Sequence, residues 1–180
     1  MSCPFFTIGH STRTLAEFIE LLRDFDIDIV IDVRTIPGSH HNPQFNADIL
    51  AKALAKAKIE YKHLSKLGGL RGRARDVDPS INAFWENRSF HNYADYAMSE
   101  AFQAGLRELR ALGHKKKCAV MCSEAVWWRC HRRIIADYLI AAGETVFHIL
   151  DRHSAAPATM TPAARRQSNG LLTYPDNARV

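Results

Sequence analysis

Along this chain, short unbroken apolar runs alternate with apolar stripes that recur every three or four residues. Pro4 to Gly9, PFFTIG, is rich in β-branched and aromatic residues and is ended by glycine, which predicts a buried strand. Leu15, Phe18, Ile19, Leu22 and Phe25 then share one helical face, and Thr14 with Glu17 makes a capping box at its start. Asp28 to Val33, DIVIDV, has the continuous apolar centre of a strand covered on both faces. A stripe of Ile49, Leu50, Ala53, Leu54 and Ala57 predicts a helix over Ala47 to Lys58, and Ile59 to Leu64, IEYKHL, a third strand. One helix is expected from about Tyr93 to Leu112, ended by Gly113. A fourth strand in KCAVMC, a helix in RRIIADYLIAAG closed by Gly143 and a fifth strand in TVFHIL complete the pattern.

Strands that alternate with amphipathic helices imply parallel pairing, because parallel strands need crossovers and the crossovers cover the faces. The expected fold is therefore a single α/β domain over residues 1–150: a mostly parallel, doubly wound sheet of about five strands with helices on both faces. Beyond Asp151 the periodicity stops, and a segment rich in Ala, Pro, Ser, Thr and Asn predicts a flexible or draped tail over residues 151–180. Between Ser65 and His91 lies a stretch rich in Gly, Arg, Asp and Asn, too long for a plain connector and so expected to be functional or mobile.

Composition adds a partner class. With 180 residues and 47% hydrophobic content the chain can bury a core of its own, and 24 basic against 19 acidic residues leave a formal charge of +5. That excess favours anions: a phosphorylated small molecule, a nucleotide or a nucleic acid. For nucleic acid the candidate surface is Arg71, Arg73, Arg75 and Lys115 to Lys117, although a solvated turn accounts for the three lysines as well. Four cysteines, an opening MSCPFFTIGHS without a charged-then-apolar leader, and no bilayer-length apolar run predict a reduced, cytoplasmic protein with no membrane partner.

In open α/β sheets ligands bind beyond the carboxyl ends of the strands, and polar chemistry follows each of the first four strands here. GHSTR follows the first, DVRTIPGSHHNPQF the second, LSKLGGLRGR the third and CSEAVWWRCHRR the fourth. His10, Ser11, Arg34, Asn42, Gly68, Gly69, Cys122, Glu124, Cys130, His131 and Arg132 are thus expected on one rim. Arg34 and Arg132 would hold anionic groups, with Ser11, Asn42 and the Gly68–Gly69 turn beside them. Glu124, His131 and His10 would handle protons, and Cys122 would be a nucleophile or a pocket wall. Structural roles stand beside each: Asp32 pairing with Arg34, His10 as a buried hydrogen-bonding ring, the glycines as permissive backbone, and Trp127 and Trp128 packed under the loop.

Two further readings apply to the fourth-strand loop. A phosphatase or sulfurtransferase nucleophile also sits between strand and helix, but SEAVWW has no glycine and carries Glu124, which would repel a phosphate. Cys122, Cys130 and His131, joined by His10 or Glu124, are zinc-compatible donors, so a metal-binding protein is the other alternative. The spacing matches no paired CxxC arrangement, and adjacent Cys130 and His131 would diverge on a helix, so no metal ligand is assigned. No cofactor follows from these motifs.

TIGHSTR, DVRTIPGSHHNPQF, YKHLSKLGG, WENRSFHNYADYAM and CSEAVWWRCHRRIIADYL, in this order from about Thr7 to Ile149, resemble the bacterial and archaeal domain-of-unknown-function family 488. The resemblance implies an α/β parallel-sheet fold and carries motif positions onto Gly9, His10, Ser11, Asp32, Arg34, Pro37, Ser39, Asn42, Pro43, Phe45, Leu67, Gly68, Gly69, Cys122, Glu124, Cys130, His131 and Arg132. It implies no activity. Ser123 stands where that family commonly has alanine, a departure that leaves the motif intact.

Overall fold

The computed structural model describes residues 3–176, so the last four residues of the expected tail, 177–180, lie outside the described residues. The elements in chain order are β1 (Phe5–Gly9), α1 (Leu15–Asp24), β2 (Ile29–Asp32), α2 (Ala47–Lys56), β3 (Glu60–His63), α3 (Arg88–Ala97) and α4 (Glu100–Gly113). β4 (Cys118–Cys122), α5 (Arg132–Ala141), β5 (Val146–Asp151), β6 (Ser154–Pro157) and the short pair β7 (Arg165–Arg166) and β8 (Leu172–Thr173) follow. Six strands form one sheet in the order β3-β2-β4-β1-β5-β6, parallel except for β6, which runs antiparallel to β5. This is the single α/β domain expected from the alternation, with β6 as a sixth, edge strand.

Alternation along the central strands divides the core in two. Cys118, Val120 and Cys122 of β4 enter the layer with Phe102, Leu109, Ile134 and Ile135 of α4 and α5. Ala119 and Met121 of the same strand face Phe18, Leu22, Leu50 and Leu54 of α1 and α2. With both faces covered, β1, β2 and β4 are buried at every position, which is why they read as unbroken apolar runs. β3, at the sheet edge, alternates between exposed and half-buried residues.

The single helix expected over Tyr93 to Leu112 is two. Asn87 caps α3 by accepting from the Ser89 and Phe90 amides, and Ser99 caps α4 by accepting from the Phe102 amide. A hydroxyl that offers the backbone an alternative partner starts a new helix more readily than it continues an old one. Residues 154–176, expected as a flexible or draped tail, add β6 and then pack along α5. Leu172 and Tyr174 are fully buried. Asp137 of α5 accepts from the Thr161 amide at 2.8 Å and from the Tyr174 hydroxyl at 2.9 Å, fastening two points of the segment.

Candidate functional site

β1 and β4 are neighbours, yet the chain leaves them in opposite directions, β1 toward β2 and β4 toward β5. A crevice opens at such a switch point, beyond the carboxyl ends of the strands. The two departing loops are tied there by His10 N–H to Cys122 O at 2.9 Å and Ser11 N–H to Ser123 O at 3.0 Å. Gly9 permits the approach, since a Cβ would stand 1.8 Å from the Glu124 carbonyl oxygen. The resulting cavity is about 870 Å³ and is lined from all four strand ends, by His10, Arg34, Gly69, Cys122, Glu124 and His131 among others.

One wall is a closed polar network. Asp32, fully buried, accepts from Arg34 Nε at 3.0 Å, Arg34 Nη2 at 2.7 Å, the Arg34 amide at 3.0 Å and the Tyr61 hydroxyl at 2.7 Å. Arg34 Nη2 also donates to Phe45 O at 2.8 Å. Burial opposes the Arg34 charge, but the hydrogen bonds and charge of Asp32 outweigh it and hold its pKa above the ordinary value. His10 Nδ1–H donates to Ser11 O at 2.8 Å, so its Nε2 is the acceptor facing Arg34 Nη1 at 3.4 Å. Burial, with a further contribution from Arg34, lowers His10 to about 4, and the ring, stacked on Phe45 at 4.2 Å, is neutral at pH 7.

The facing wall gathers sulfur and imidazole. His131 Nε2–H donates to Val33 O at 2.9 Å, which leaves the Nδ1 lone pair toward Cys130 Sγ at 3.6 Å and Cys122 Sγ at 3.9 Å. Tyr93 meets this ring edge-on at 4.9 Å. A Cβ on Gly69 would stand 2.6 Å from Nδ1 and 2.9 Å from both Cγ and Cε1, over the ring face, so the backbone approaches as only glycine allows. Arg132 donates to Cys130 Sγ from Nε at 3.3 Å and from its amide at 3.5 Å. Burial alone would raise the Cys130 thiol, but its hydrogen bond with Cys122 and then the charge and N–H groups of Arg132 bring it below the ordinary range. The hydrogen bond to Cys130 and then burial push Cys122 up.

Cys130 and His131 do not diverge, because they precede α5 instead of lying within it. Cys130 is extended (φ −124°, ψ 148°), and the helix begins at Arg132.

Arg132 itself is buried, does not line the cavity, and donates to Thr7 Oγ1 at 3.5 Å and Glu124 O at 2.6 Å. It therefore braces the wall from behind. Ser11, Asn42 and Gly68 also lie outside the lining. Ser11 takes a left-handed turn (φ 52°), the Asn42 amide donates to Ser39 Oγ at 3.0 Å, and Gly68 is pressed on Thr35. In their place come Ser39, His40, His41, Asn46, Arg129 and, from the start of α3, Ser89 and Phe90. The last two were hidden because the sequence reads this helix start as loop. Trp127 stacks on His148 at 4.4 Å, away from the cavity.

The basic set proposed for nucleic acid is split by the fold. Arg71, Arg73 and Arg75 follow the carboxyl end of β3, whereas Lys115 to Lys117 precede the amino end of β4, at the opposite end of the parallel strands. Arg71 is held over the Tyr96 ring at 3.8 Å, Lys116 pairs with Glu60, and Lys117 lies 3.9 Å from Asp26.

A family model described as a domain of unknown function, DUF488, matches residues 14–139. The chain belongs to DUF488. The matched span contains three sides of the cavity, from Arg34 through Gly69 to the Cys122–Arg132 segment, while His10 lies just before it. No curated protein and no solved structure matches this DUF488 chain. Among the described residues, no helix is long and apolar enough to cross a membrane.

Proposed function

We propose that this protein is an enzyme, or a degenerate enzyme, that binds a phosphorylated small molecule or nucleotide in the rim cavity, in a reduced, cytoplasmic setting. The observation that carries this reading is the cavity itself: about 870 Å³ at the switch point of a parallel sheet, with thiol, imidazole, carboxylate and guanidinium groups in its lining. Arg129 lies at the exposed margin and has no acidic partner among the described residues, so it is free to meet an anion. Ser39 and Ser89 add hydroxyl donors. Glu124, exposed on the same lining, supplies a carboxylate for a ribose hydroxyl or an amino group.

Calorimetric titration of EDTA-treated protein with inorganic phosphate, AMP and ADP tests the reading. Saturable binding tighter than about 1 mM, weakened by Arg129→Ala and by added salt, is the expected result. No heat and no shift in melting temperature with any of the three would sink it.

A further inference from the structure

Three soft or borderline donors stand together in the cavity wall. We propose that Cys122, Cys130 and His131 form a zinc site with a fourth coordination position open to the cavity. Their ligand atoms, the two Sγ and Nδ1, all lie within 4.8 Å of one another, and both sulfurs approach Nδ1, at 3.6 and 3.9 Å. A tetrahedral zinc with bonds of about 2.3 Å to sulfur and about 2.0 Å to nitrogen separates sulfur from nitrogen by roughly 3.5 Å. The pocket wall already has nearly that spacing, so only small side-chain adjustments are needed.

The surroundings are those of a ligand set. The Val33 carbonyl holds Nε2–H and fixes the tautomer in which Nδ1 carries the lone pair, the outer-shell arrangement that orients a metal-binding histidine. Gly69 covers the ring face and leaves its Nδ1 edge to the sulfurs. Arg132 donates to Cys130 Sγ from behind, opposite in role to a ligand, and offsets part of the negative charge of two thiolates. Binding one Zn²⁺ in place of two thiol protons leaves the Cys₂His centre without net charge. All three ligands line the cavity, so the remaining position faces the space in which an anion is proposed to bind. Three protein donors with one open position is the pattern of a reactive zinc, whereas structural sites are closed by a fourth side chain. The donor set excludes magnesium and calcium, which take oxygen ligands.

The site stands on its own geometry, and its test is separate from phosphate binding, which is measured without metal. Reduced apo protein is titrated with Co²⁺ as an optical probe and then with Zn²⁺. One equivalent of cobalt should give thiolate charge-transfer and tetrahedral d–d bands that zinc abolishes. Cys122→Ser, Cys130→Ser and His131→Gln should weaken binding by about 100-fold or more. Cys3→Ser, a change at an exposed cysteine away from the cavity, should leave it intact. Native mass spectrometry of the wild-type chain, which needs no variant to fold, should show one added zinc less two protons. Absence of that adduct, of the charge-transfer band, or of any effect of the Cys122 and Cys130 substitutions would overturn the proposal.

Discussion

The two walls of the cavity hold a histidine each, and both rings give one N–H to a main-chain oxygen, Ser11 for His10 and Val33 for His131. They differ in what the other nitrogen meets. His10 Nε2 faces a guanidinium already committed to Asp32 and Phe45, whereas His131 Nδ1 faces two thiols, of which Cys130 also accepts from Arg132. One wall is a saturated network whose polar groups satisfy one another. The other keeps donor capacity in reserve, braced from behind by Arg132. Burial of polar groups alone therefore does not distinguish the two walls; donor capacity left facing the cavity does.

The largest way to break this contrast is to unbalance the saturated wall. Asp32→Ala leaves Arg34 charged and buried without its partner, and the unfolding free energy measured by denaturant titration should drop by about 3–5 kcal/mol. Arg34→Ala should be costly for the same reason, with Asp32 stranded. A loss below about 1 kcal/mol for both would mean that solvent reaches this pair and the wall is not closed.

Acid probes the same wall more gently through His10, alongside His148, which lies outside the cavity. His10 and His148 are both lowered to about 4, His10 chiefly by burial and His148 by burial and then the charge of Arg132. Unfolded, each takes up a proton below about pH 6.5. Between that value and about 4 the unfolded chain therefore binds more protons than the folded one, so stability is complete above pH 6.5 and falls as the pH drops through this window. The ceiling is about 3 kcal/mol for each ring. His10→Gln keeps an acceptor for Arg34 but no titrating ring, and should flatten its share of the fall. An unchanged pH profile in that variant would show that His10 is not held neutral.

How much of this was legible follows from which signals are local. The parallel sheet could be read because burial on both faces leaves β1, β2 and β4 mostly apolar, and the capping box of Thr14 and Glu17 marks α1 by itself. The rim was legible too, since polar motifs after successive strands must meet at one end of a parallel sheet. The roles of its arginines were not. Arg34 and Arg132 look alike in sequence, and only three-dimensional pairing places one in the cavity lining and the other behind it. Cys130 and His131 were expected to diverge as if both lay on the helix, although the helix starts at Arg132, as its sequence pattern already indicated, and the extended backbone of Cys130 is what brings the two side chains together. The segment after Asp151 gave no periodic signal because its order comes from scattered anchors, Thr161 and Tyr174 on Asp137.

On the thiol–imidazole wall, Gly69→Ala sharpens the comparison at intermediate cost. The new methyl would meet the His131 ring at 2.6 Å, and either the ring or the loop must move. Overpacking of this kind costs about 1–3 kcal/mol. Because the displaced ring is a proposed ligand, cobalt affinity should fall as well, whereas phosphate binding, which depends on Arg129, should be retained. A variant as stable as wild type with unchanged cobalt spectra would mean that the loop yields freely and the glycine does not position the imidazole.

Glu124→Gln is the mildest change and the most discriminating for the ligand. Its carboxylate is exposed and makes only a long bond, 3.4 Å, from the Val126 amide, so stability should stay within about 0.5 kcal/mol of wild type. The bracing contact from Arg132 goes to the Glu124 carbonyl and survives the substitution. Removing a negative charge from a cavity that takes an anion should strengthen inorganic phosphate binding slightly. Removing a charged acceptor for a ribose or amino group should weaken AMP several-fold. The two ligands should therefore respond with opposite signs in parallel calorimetric titrations. If both bind more tightly, Glu124 acts only through its charge, and the cavity recognises the phosphate without reading what is attached to it.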